Sequence, residues 1–67
     1  MQVTTEYFDY NDTNTFTVSQ GISAVISLDI NGLVEDEGLG FDIVGFNQVR
    51  LRGTPYSTSR IGITYLY

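Results

Sequence analysis

"SAVISLDINGLVEDE", residues 23–37, sets Ala24, Ile26, Leu28 and Ile30 in alternation with Ser23, Val25, Ser27 and Asp29 before reaching Asn31-Gly32. Strict alternation is the signature of a half-buried strand, and Asn-Gly between two apolar runs is the strongest short-range hairpin signal. The stretch predicts a strand over 22–30, a two-residue turn at Asn31 and Gly32 with both residues at positive φ, and a return strand beginning at Leu33-Val34. The acidic run Glu35-Asp36-Glu37 closes it. A calcium loop needs oxygen ligands at alternate positions, a glycine at the sixth and a bidentate Glu at the twelfth. Counting from Asp29, the glycine here stands fourth. Asp29, Glu35, Asp36 and Glu37 are therefore read as a turn and a solvated acidic loop, and no metal or other cofactor is expected.

Working outward, the rest of the chain follows the same pattern. Thr, Val, Ile, Tyr and Phe dominate, Ala occurs once and Lys never, which is the strand-favouring composition. Residues 2–10 read as a first extended segment, 11–14 as a polar turn, and 15–19 as a short strand with Phe16 and Val18 on one face. Residues 41–46, 49–52 and 60–67 follow as strands. A turn around Gly45 and Asn47 joins the first two, and the loop holding Thr54-Pro55 precedes the last. Ile61, Ile63, Tyr65 and Tyr67 share one face of that last strand. The fold class expected is all-β: a small antiparallel β-sandwich of about six to seven short strands, one domain over residues 1–67. Its core is expected from Phe16, Val18, Ile26, Leu28, Ile30, Phe41, Ile43, Val49, Leu51, Ile61 and Ile63.

Composition excludes several classes of function. With no Cys and no His, disulfides and the usual zinc or copper sites are ruled out. Without His, Cys or Lys the common nucleophiles and bases are missing, so the chain is not read as an enzyme. Eight acidic and three basic residues give a net charge of −5, which repels nucleic acid. No apolar run approaches the roughly 20 residues of a membrane span. The first ten residues lack the basic and apolar regions of a signal peptide, so assembly in the cytoplasm is expected. Asn11-Asp12-Thr13 matches a glycosylation acceptor and is read as a turn only.

In order, the motifs are "DTNTFTV", a glycine, a strand ending "LDINGL", an acidic link, "FDIVGFNQVRL", a proline loop and "IGITYLY". This order resembles a small β-sandwich module common in the fibres and other appendages of tailed-phage virions, over about residues 12–67. The resemblance implies a structural subunit of a bacteriophage virion (a tail or fibre appendage, neck or head-decoration component) that acts by protein–protein assembly and resides in the particle. Two alternatives come from the residues. Tyr7, Tyr10, Tyr56, Tyr65 and Tyr67 suit a receptor- or glycan-binding module, and the acidic balance suits a small regulatory protein mimicking nucleic acid.

Arg50 and Arg52 are expected on one face of a strand, paired with the acidic loop. A core this small, with neither disulfide nor metal, suggests support from a partner chain. The run "ITYLY" lacks the Lys, Pro or bulge that guards an edge strand. Other virion proteins or a homo-oligomer, a trimer if fibre-like, are the expected partners. Residues 61–67 are expected either in the middle of the sheet or at an edge that a neighbour covers, and coverage is favoured; the interface is placed on Arg50, Arg52, Tyr56, Tyr65 and Tyr67.

Overall fold

The computed structural model describes residues 1–10 and 12–67. Asn11, the first residue of the glycosylation pattern and of the 11–14 turn, lies outside the described residues. Seven strands follow one another: β1 (Val3–Asp9), β2 (Thr15–Thr17), β3 (Ala24–Ile30), β4 (Leu33–Glu35), β5 (Phe41–Gly45), β6 (Gln48–Leu51) and β7 (Arg60–Leu66). They form two antiparallel sheets, one ordered β1-β7-β3-β4 and the other β2-β6-β5. The fold is all-β, and two hairpins are local. The β3–β4 turn has Asn31 at φ 54° and Gly32 at φ 87°, with Ile30 opposite Leu33. Phe46-Asn47 joins β5 to β6.

β7 is the organising strand. Ile61, Ile63 and Tyr65 point inward and are fully buried. Its partners on both sides are long, so it sits in the middle of the four-stranded sheet and not at an edge. Of the two placements expected for residues 61–67, the covered edge is thus corrected and the mid-sheet one holds: alternation without any charge from Ile61 onward reflects a strand paired on both sides. Its outer face has a gap at Gly62. A Cβ there would stand 2.5 Å from Asp29 Oδ1 and 2.9 Å from Tyr7 Cε1, so the neighbouring side chains occupy the space a side chain would take.

Phe16, Val18, Leu28, Phe41, Val49 and Leu51 complete the buried core, and Phe8, Tyr10, Ile22, Val25, Ile30 and Tyr67 pack against it. Three expected core residues differ. Ile26 is 55% exposed. The β3–β7 register passes from Val25↔Tyr65 to Ser27↔Thr64, which makes Ile26 the extra residue of a bulge. Side chains alternate, so one inserted residue turns everything beyond it to the other face. Val25 packs inward in its place. Ile43 pairs with buried Val49 but remains exposed, because β5 is the outer strand of its sheet. Ile30 is half-buried at the end of the sandwich.

Candidate interaction surface

The β3–β4 hairpin tip is pinned to the start of β7. Asn31 N–H donates to Arg60 O at 2.8 Å, and Arg60 N–H donates to Asn31 Oδ1 at 2.9 Å. Asn31 Nδ2 donates to the Oγ of buried Ser59 at 3.3 Å, and Ser59 O accepts from Tyr10 N–H at 2.9 Å. Asp29 Oδ2 accepts from Gly32 N–H at 3.1 Å and stiffens the turn. Asn31 therefore serves twice, tolerating positive φ and carrying a side chain that ties two segments together.

Between this tip and the 54–59 loop lies a groove of about 420 Å³, lined by Ile30, Leu33, Pro55 and Tyr56 with Glu35 and Ser59. Tyr56 is 85% exposed and Leu33 73% exposed. Single exposed apolar side chains are ordinary, but an apolar concavity beside a charged rim is the composition of a recognition surface. The charge in this lining is Glu35, at the start of the acidic loop. Glu35 folds back over Gly40, where a Cβ would meet its Oε1 at 2.5 Å, while Asp36 O accepts from Gly40 N–H at 2.8 Å. Among the described residues, no group of three carboxylates is arranged to hold a metal ion.

The residues expected at the interface do not come together. Tyr56 lies beside the start of β7, and Tyr67 lies past its other end. Tyr65 is core: its hydroxyl donates to Glu6 Oε2 and accepts from Gln20 N–H at 3.2 Å. Tyr67 is half-buried, donates its hydroxyl to Gln2 Oε1 at 2.8 Å and packs on Tyr65 with ring centroids 5.8 Å apart. Placing Tyr65 at an interface is thereby corrected, since an inward position opposite Thr4 on β1 buries the ring.

Arg52 follows β6 by one residue and grips Asp42 of β5 through Nε and one terminal nitrogen, both at 2.8 Å. Asp42 also stands opposite Arg50 across the ladder. The arginines therefore face a carboxylate on the neighbouring strand and not the 35–37 loop. Cross-strand neighbours are closer than loops, and the planar guanidinium fits a carboxylate with two donors. The Arg52 hydrogen bond holds the Asp42 carboxyl below its ordinary value, and Asp42 in turn raises Arg52. Arg60 stacks its guanidinium 4.1 Å from the centre of the Tyr7 ring.

Glu6 went unnoticed in the sequence. It points inward from β1 and accepts from Ser19 N–H at 3.1 Å, Ser19 hydroxyl at 3.0 Å and Tyr65 hydroxyl. Partial burial pushes its carboxyl up, but the hydrogen bonds from Tyr65 and Ser19 outweigh this and leave it below the ordinary value. Burial, then the bond to Glu6, raises the Tyr65 hydroxyl. With Glu6, Asp29 and Asp42 engaged inside the chain, the carboxylates do not form one free acidic face. No protein family, curated protein or solved structure matches the chain.

Proposed function

We propose that the protein is a structural subunit of a bacteriophage virion that works by docking to other virion proteins, without catalysis. The observation that carries the reading is the groove at one end of the sandwich, with exposed Tyr56 and Leu33 beside Glu35. Tyr is enriched at protein interfaces because its ring is apolar and its hydroxyl tolerates water. The assignment to a virion comes from the order of sequence motifs over residues 12–67. The same exposed Tyr56 ring, facing a groove that includes Glu35, favours glycan binding at the virion surface as a second reading.

Quantitative mass spectrometry of purified particles of the encoding phage tests the first reading. The chain is expected there in many copies. Tyr56→Ala should leave the melting temperature unchanged, because the ring is exposed, and should cut incorporation. Absence of the chain from particles would sink the proposal. Binding of the purified chain to a glycan array, lost in Tyr56→Ala, would favour the second reading.

A further inference from the structure

The sandwich has four outer strands, and three of them are blunted. β2 and β4 are three residues long. β5 slips register between Ile43 and Gly45, and its Phe41 O is already taken by Gly38 N–H at 2.8 Å. Short strands, bulges and covered ends are the usual protection against edge pairing. β1 has none of these. It runs seven residues against β7 in unbroken register from Val3↔Leu66 to Asp9↔Arg60, with no Pro and no Lys.

Its backbone polarity follows from its ends. Gln2 and Tyr67 exchange both backbone hydrogen bonds, at 2.7 and 2.9 Å, and Tyr10 N–H donates to Ser59 O. In an antiparallel ladder alternate residues make these exchanges. Gln2, Thr4, Glu6, Phe8 and Tyr10 therefore address β7. Val3, Thr5, Tyr7 and Asp9 turn their N–H and C=O groups outward, where the sheet ends. Glu6 could guard the edge as an inward charge, but Ser19 and Tyr65 already hold its carboxylate.

The geometry points to β1 as a self-association edge, pairing antiparallel with β1 of a second copy about a twofold axis through Thr5. A twofold axis requires one patch to complement itself. Centred on Thr5, each Val3 faces the other copy's Tyr7, and both side chains are more than half exposed on the outer face. Thr4 then meets Glu6 on the inner face. Centring on Glu6 would oppose two carboxylates, which destabilises a sheet. Centring on Tyr7 would set Thr5 against Asp9 and leave Val3 outside the apolar pairing. The product is one continuous eight-stranded sheet. So limited an interface belongs with weak encounters, below about 1,200 Å².

Sedimentation equilibrium of the purified chain from about 20 µM to 1 mM should show mass rising toward a dimer, as expected for weak association. Thr5→Lys places like charges at the twofold axis, and among the described residues it removes from the fold only the exposed hydroxyl pair with Thr64. It should shift the midpoint at least about tenfold upward with little change in melting temperature. Thr5→Cys should crosslink on oxidation. Tyr7→Cys should not, because its two copies would be about 14 Å apart at ~3.4 Å per residue, beyond the roughly 7 Å limit for a disulfide. A monomer at 1 mM, a dimer indifferent to Thr5→Lys, or crosslinking through Tyr7→Cys alone would overturn the inference. None of these measurements depends on the virion reading: a dimer in solution with the chain absent from particles would sustain this inference and sink that one.

Discussion

β3 and β7 are neighbours of equal length, seven residues each, yet they behave differently along their shared ladder. β7 is paired on both sides throughout and keeps strict alternation, with Ile61, Ile63 and Tyr65 all inward. β3 is paired on both sides only over Leu28–Ile30, where β4 reaches it, and there it is equally regular. Where β4 no longer flanks it, β3 bulges at Ile26. Two flanking ladders hold a strand in register, and a strand held on one side can take in an extra residue.

The comparison is sharpened most by Leu28→Ala. Leu28 is fully buried in the doubly flanked half of β3, and the cavity should cost about 2–5 kcal/mol, read as a shift in the urea midpoint. Next comes Gly62→Val on β7, which forces a branched side chain into space held by Asp29 and Tyr7. A loss of about 1–3 kcal/mol is expected. A neutral result would show that the outer face of β7 is looser than its pairing implies.

Glu6→Gln should cost about 1–2 kcal/mol by weakening charge-assisted hydrogen bonds to Ser19 and Tyr65. The pH dependence has a definite sign. The Glu6 carboxyl is lowered in the fold, so its stabilisation is full above the ordinary range near 4.3 and is lost as pH falls through the lowered value. Tyr65 is raised, so its contribution is full below about 10 and is lost as pH rises through the raised value. The variant should flatten the acid limb of a melting-temperature profile. The smallest effect belongs to Ile26→Ala, within about 0.5 kcal/mol as for other surface sites. A loss like that of Leu28→Ala would break the comparison, because Ile26 would then have to point inward.

Much of this fold is legible in the chain because local chemistry dictates it. Asn31-Gly32 announces its turn, and the inward face of β7 can be read from alternation alone. The bulge at Ile26 is silent, since no Gly or Pro marks it and Ala24-Val25-Ile26 is apolar on both possible faces. The uncharged run from Ile61 hints that β7 is paired on both sides, but its slot between β1 and β3 is silent, because short links favour sequential pairing and do not name its neighbours. The groove was half legible: the hairpin tip and the proline loop are evident separately, but only the Asn31 bonds to Ser59 and Arg60 bring them together. Arg52 was recognisable as an ion-pair former, while its partner Asp42 is set by the β5–β6 ladder.

The central place of β7 also bears on how the chain comes to be folded as it is made. β1, β3 and β4 precede β7 in the chain, and β1 and β3 share no ladder with each other, each pairing instead with β7. The β3–β4 hairpin can close early, but the four-stranded sheet must wait for Arg60–Leu66 to be made and slide into the gap. Pairing β1 with β7 then joins residues as distant as Val3 and Leu66, the kind of long-range closure that slows folding. Synthesis in chain order therefore delivers β1 and β3 before the strand that joins them, and β7 acts as the keystone of the sheet.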